Sequence, residues 1–108
     1  MTGLPPDVEA YSRSPEFDQD TLPAALRRQH STKPGTWGLI HVLEGKLVYR
    51  IYEPPSETVL EPGTRGVVRP EQLHEVEPAS APMRMYVEFY AARGTWSRSS
   101  ARSLSRDR

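Results

Sequence analysis

The chain has 108 residues, which suits one domain with a single core. Its 14 basic and 14 acidic residues cancel, so the whole molecule lacks the positive field of a typical nucleic-acid-binding protein. No cysteine is present, which excludes disulfides and thiolate sites and leaves His, carboxylate and water as ligands for any metal.

Residues 1–20 are predicted to form an N-terminal arm, in which residues 8–12 can add an edge strand. The chain starts without a basic segment followed by an apolar one, and no stretch approaches the ~20 apolar residues that span a bilayer. We therefore expect a cytoplasmic protein that does not contact membranes.

Residues 22–31 fit either a short helix, because Ala, Leu and Arg favour helices, or a strand. The strand is preferred, since a helix here would have barely two turns before the Pro34-Gly35 turn. Eleven prolines along the chain leave few windows for a longer helix, so the composition favours an all-β fold.

Residues 37–52 contain two β-rich runs joined at Glu44-Gly45, which predicts a tight hairpin with Val42 opposite Leu47. Alternation then assigns one face to the core. That face consists of Gly38, Ile40, Val42, Leu47, Tyr49 and Ile51. His41 lies on the other face and is predicted to be a surface or sheet-edge imidazole.

Further short strands are predicted at residues 58–60, 66–69, 74–77 and 83–90, with residues 53–57 as a loop. Seven or so short strands indicate a sandwich or barrel, which we assign to residues 21–90. Residues 91–108 carry five arginines and one aspartate and few apolar side chains, which predicts a basic, disordered tail. Without interleaved aromatics it would give only salt-sensitive contact, so no specific nucleic-acid binding is expected.

Two of the three histidines are candidate ligands of a divalent metal. His30 ends a predicted strand beside a turn and His74 opens a later one, and strand ends can converge at the mouth of a barrel. Glu88, a carboxylate between Val87 and Phe89, is the leading third ligand. Two imidazoles and one carboxylate would leave open positions on Fe(II), Mn(II) or Zn(II).

Gly38, Ile40, Tyr49 and Tyr86 are predicted to wall a pocket for a small molecule or oxyanion. Three alternatives remain: the histidines are ordinary polar residues near turns, Glu88 faces solvent, or the chain is a dimeric binding module that works without a metal. No arrangement of nucleophile and base is evident, so the sequence does not decide whether the protein is an enzyme. Exposed strand edges favour a homodimer.

Three segments resemble a known family: LPAALRRQHSTKPGTWGLIHVLEGKLVY, RPEQLHEVEP and MYVEFY. Over residues 4–90 the chain is similar to TehB/YeaR-like domains, which are small cupins found alone or fused ahead of a methyltransferase. The resemblance implies a double-stranded β-helix, or jelly-roll barrel, with a divalent metal held by histidines from two motifs. It also implies a role in tellurite resistance, or in resistance to related oxyanions and oxidative stress.

Within this resemblance, the VLEG run at residues 42–45 corresponds to the end of the first cupin motif, and His74 to the histidine of the second. The chain departs from the pattern in the first motif. The usual histidine pair is reduced to His30. The position at which a metal-binding glutamate normally falls corresponds approximately to Gly38. A metal would then depend more on Glu88 and water.

Overall fold

Two antiparallel β-sheets pack face to face in the computed structural model, which describes residues 4–92. The strands are β1 (Val8–Arg13), β2 (Phe17–Asp18), β3 (Trp37–Glu44), β4 (Leu47–Tyr52), β5 (Pro55–Leu60), β6 (Gly66–Val68), β7 (His74–Pro78) and β8 (Arg84–Ala92). One sheet has the order β1-β8-β3-β6, with β2 also paired to β8, and the other has the order β5-β4-β7. The predicted all-β class is confirmed.

The core lies between the sheets, and both contribute to it. Ile40, Val42 and Met85 of the first sheet are buried against Leu47 and Tyr49 of the second. The alternation predicted for residues 37–52 therefore holds, because the side chains assigned inward are buried except Ile51, which is partly covered. Burial of each large aliphatic side chain contributes roughly 1.5–3 kcal/mol to stability.

The predicted hairpin between residues 37–44 and 47–52 is wrong. β3 pairs with β6 and β8, whereas β4 pairs with β5 and β7, so the chain changes sheets at Gly45. Alternation specifies which face is buried but not which strand lies alongside, and a glycine connection serves a corner between sheets as well as a hairpin. The tight hairpin is β4 with β5, where Tyr52 faces Pro55, so three of the five residues of the predicted loop at 53–57 belong to a strand.

The strand predicted at residues 22–31 is also wrong. A single 3-10 turn occupies Ala24–Arg27, where the Leu26 N–H donates to the Pro23 carbonyl at 3.0 Å. Leu26 packs partly buried against the core. Among the described residues no helix is long and apolar enough to cross a membrane.

The N-terminal arm forms part of the larger sheet. β1 pairs with β8 along the sheet edge, as predicted for residues 8–12, with a register shift between Ala10 and Ser12. β2 pairs with the other end of β8 through Phe17 and Met85. Of the predicted tail, residues 91–92 complete β8 and residues 93–108 lie outside the described part of the chain.

Gly45 offers a test of the corner between the sheets. Its φ is +77°, and a β-carbon there would lie 2.2 Å from the Pro82 carbonyl oxygen. Gly45→Ala should lower the free energy of unfolding by about 3 kcal/mol or more, because steric overlap adds to left-handed strain. Gly63→Ala is the control: its φ is +94° in open space, and the loss should be about 1 kcal/mol. Equal losses in urea unfolding would contradict this account.

Candidate functional site

A backbone bridge joins His30 to His74. The His30 N–H donates to the His74 carbonyl, and the His74 N–H donates to the His30 carbonyl, both at 2.9 Å. Residues directly opposite in an antiparallel pair project their side chains to the same side. The two imidazole centroids are accordingly 4.1 Å apart. The expected meeting of the histidines is present in the structure, and their role as metal ligands stays a prediction.

Each imidazole is held in the same way by its own chain. The Nδ1–H of His30 donates to the Arg28 carbonyl at 2.9 Å, and that of His74 to the Gln72 carbonyl at 2.8 Å. Because a carbonyl only accepts, Nδ1 carries the proton and the neutral ring has its lone pair on Nε2. Neither Nε2 atom forms a hydrogen bond with the residues that the structure describes. Both are thus available to a ligand.

Burial favours the neutral form of His74. Its exposed fraction is 4%, and this desolvation is the main cause that lowers its pKa below the ordinary 6.5. The nearby His30 acts in the same direction, whereas the Gln72 carbonyl opposes it. His74 is therefore an uncharged nitrogen donor at neutral pH.

The segment that carries His30 is tied to the turn before β7. The Glu71 N–H donates to the Thr32 carbonyl at 3.2 Å, and the Thr32 hydroxyl donates to the Thr36 carbonyl at 2.8 Å. Glu71 has a φ of 65°, in the left-handed region that favours glycine. This turn begins at Arg69, whose carbonyl accepts from the Gln72 N–H, so the histidine bridge is supported on both sides.

A cavity of about 410 Å³ opens beside the two imidazoles. Ser12, Ser31, Thr32 and Lys33 are among its polar lining residues. Apolar side chains form much of the rest, namely Leu26, Ile40, Val68, Val76, Met85, Val87 and Phe89. No aspartate or glutamate belongs to the described lining. The volume lies toward the lower end of the range for small-molecule sites.

Two of the four predicted pocket residues line this cavity, Gly38 and Ile40. A β-carbon at Gly38 would lie 3.2 Å from Cβ of Val68, so glycine allows β3 and β6 to approach closely there. Tyr49 is not a lining residue. It is buried with its ring nearly perpendicular to that of His74, at 5.8 Å between centroids, and its hydroxyl donates to the Val67 carbonyl at 2.7 Å. Burial raises the pKa of Tyr49 to about 12.

Glu88 and Tyr86 lie on the opposite face of β8 from the cavity. Val87 and Phe89 line the cavity, so the alternation of the strand turns Glu88 and Tyr86 outward. The structure therefore does not bring Glu88 to the two imidazoles, and Tyr86 is not a pocket wall. Within residues 4–92 no group of three or more His, Cys, Asp or Glu side chains could hold a metal ion.

Sequence reasoning missed a second cluster on this outer face. His41 Nε2 lies 2.7 Å from Oε1 of Glu88, which also accepts from the Tyr90 hydroxyl at 3.2 Å. The His41 ring stacks on the Tyr86 ring with 4.6 Å between centroids, and the Arg13 guanidinium lies 4.1 Å from the centroid of the Tyr86 ring. Alternation put His41 on the outer face, but no sequence signal placed β8 beside β3.

These features define an all-β domain of two packed sheets whose cavity holds a pair of oriented imidazoles. The chain belongs to the TehB-like domain family, whose model matches residues 12–87. It is 33% identical over 89 residues to the probable S-adenosyl-L-methionine-dependent methyltransferase TehB of Haemophilus influenzae. That match covers 78% of this chain but only 31% of the relative.

The chain is also similar to the uncharacterized protein YeaR of Escherichia coli K12, with 25% identity over 101 residues and 85% of each chain covered. Two crystal structures share the fold. A protein from E. coli K12 has a TM-score of 0.79 at 24% identity, over 86% of this chain and 99% of its own. TehB from H. influenzae has a TM-score of 0.77 at 27% identity, over 95% of this chain and 36% of its own.

The lowered pKa of His74 predicts how the stability of the metal-free protein depends on pH. As pH falls through 6.5, His74 of the unfolded chain takes up a proton while that of the folded chain stays neutral, so the free energy of unfolding decreases. The decrease ends below the depressed folded pKa. His74→Asn cannot titrate here, although its amide can replace the Nδ1–H donor.

Urea unfolding of both proteins between about pH 5 and 8, with a chelator present, measures this contribution. The free energy of unfolding of the wild-type chain, relative to that of His74→Asn, should decrease as the pH falls. Titrating groups remote from His74 behave alike in both proteins and cancel. A pH-independent difference would contradict the assignment.

Proposed function

We propose that this chain is a small-molecule-binding domain that holds a divalent cation on Nε2 of His30 and His74. The observation that carries this proposal is that both rings are fixed through Nδ1–H to backbone carbonyls. Ligating histidines generally have this support, which sets the tautomer and the orientation of the metal-binding nitrogen. Two rings with the same support, 4.1 Å apart, fit the pattern of a shared site.

The donor set suits borderline cations. Neutral imidazole nitrogen is a ligand for Zn(II) and Fe(II) in proteins, and Mn(II) is the harder third candidate. With two protein nitrogens available among the described side chains, the remaining coordination positions fall to water or to the bound small molecule. Such a site would bind the cation more weakly than a site with three or four protein ligands, and would leave it open to ligands.

The cupin-type jelly roll is part of the same proposal. Its support is the pair of packed antiparallel sheets, together with the change of sheet at Gly45. In that arrangement the cavity lies inside the barrel, and His74 opens one of its strands. The proposed assembly is a cytoplasmic homodimer, which light scattering at micromolar concentrations would test.

The biological setting follows from the family alone. The match covers 31% of the relative named as a probable methyltransferase, so we do not propose methyl transfer as the activity of this chain. We propose that the domain binds a small molecule or an oxyanion during stress or oxyanion resistance, such as resistance to tellurite. A dimeric module that binds its ligand without metal is the competing outcome of the test below.

Metal binding by untagged, full-length protein tests the proposal. After removal of metal with a chelator, titration with ZnCl₂ should give one site per chain. His30→Asn or His74→Asn should lower the affinity for Zn(II) by at least about tenfold, because even the loss of a group that only hydrogen-bonds to a metal ligand has an effect of that size. Asparagine removes Nε2 but keeps an N–H donor near the position of Nδ1.

His41→Asn is the matched control, because this histidine lies on the outer face with Glu88. It should bind Zn(II) like the wild-type chain, and so should Glu88→Gln. Failure of the wild-type chain to bind Zn(II), Fe(II) or Mn(II), or equal losses in the His41 and His74 variants, would contradict the proposed centre.

A further inference from the structure

The charge of the cavity lining limits what can occupy it. Among residues 4–92 the lining contains Lys33 and two histidines but no carboxylate. Each Nδ1–H donates to a backbone carbonyl, so the Nε2 lone pairs of both rings are electron-rich positions that attract a cation or a proton donor. The described protein atoms around a cation bound here would therefore supply no negative charge.

An uncompensated divalent charge is costly in such a place. Electrostatic interactions are stronger beside buried apolar groups than in water, and a bound cation becomes the largest local charge. Its favourable neighbour is then an anion that fills the open coordination positions. The lack of a carboxylate in the described lining thus favours a negatively charged ligand.

The rest of the lining requires an apolar body on that anion. Val68, Val87 and Phe89 come from two strands of the larger sheet, and Val76 comes from the facing sheet. A purely inorganic oxyanion would leave these side chains in contact with water. Each methylene buried against them instead contributes about fourfold to affinity.

We propose that the ligand class is a small organic acid with an apolar body, whose carboxylate or equivalent oxyanion is directed toward His30 and His74. The body lies along the aliphatic and aromatic lining, and the polar lining near Ser12 and Lys33 adjoins it. This inference rests on the proposed cation site. It specifies the charge and the shape of the ligand, two properties that the proposed function does not define.

Calorimetric titration of the Zn(II)-loaded full chain with matched probes tests the class. Hexanoate, hexanol and hexylamine share one apolar chain and differ in the charge of the head. Hexanoate should bind at least about tenfold more tightly than the other two, the size of one charge-assisted contact. Across butyrate, pentanoate and hexanoate the affinity should rise about fourfold per methylene.

A charge placed in the lining provides a control with little risk to folding. Ser12 is an exposed lining residue of β1, so Ser12→Asp adds an anion beside the cavity and Ser12→Asn adds the same shape without charge. Ser12→Asp should lose more affinity for hexanoate than Ser12→Asn does, and it should bind Zn(II) no more weakly than Ser12→Asn.

The two proposals fail in different ways. Normal binding of Zn(II) with equal affinities for hexanoate and hexanol would overturn the ligand class and leave the cation site intact. Binding of selenite or tellurite with no gain along the carboxylate series would also overturn it. Hexanoate binding that persists in His74→Asn and in metal-free protein would overturn the placement of the carboxylate at the histidine pair.

Discussion

The two backbone hydrogen bonds between His30 and His74 are the constraint on which the site depends. They are an isolated bridge, so a segment without regular structure is held at the first residue of β7. Two residues 44 positions apart in sequence thereby present their rings to one cavity. The bridge acts together with the Glu71–Thr32 hydrogen bond and the packing of Leu26 to keep the 3-10 turn and the segment after it beside the second sheet.

The sheets make the cavity as well as the core. The core and the cavity are formed by the inward faces of the same strands. On β3, Val42 packs in the core, whereas Gly38, four residues earlier, lines the cavity. Along β8, Met85 serves both regions, and Val87 and Phe89 continue the lining. The change from packed core to open cavity is therefore gradual, and the cavity is lined mainly by what would otherwise be core side chains.

Local pattern predicted much of this fold. Alternation assigned Ile40, Val42, Leu47 and Tyr49 to the interior, and turn residues gave most strand positions. The pattern could not choose partners for β3 and β4, because β3 lies between two strands that are distant in sequence, β6 and β8, and β4 lies between its neighbour β5 and the distant β7. The same limit hid the contact of His41 with Glu88. A carboxylate that binds a metal inside the cavity and one that is hydrogen-bonded to a histidine on the outer face have the same local sequence signal.

The edge strand β1 has a different role on each side of its sheet. Arg13 lies over Tyr86 on the outer surface, while Ser12, its neighbour in the chain, lines the cavity. A substitution that removes the contact of Arg13 with Tyr86 therefore acts on the strand that lines one side of the cavity. Variants altered in ligand retention should thus arise at surface positions that no ligand ever touches, and a map of contacts alone would miss them.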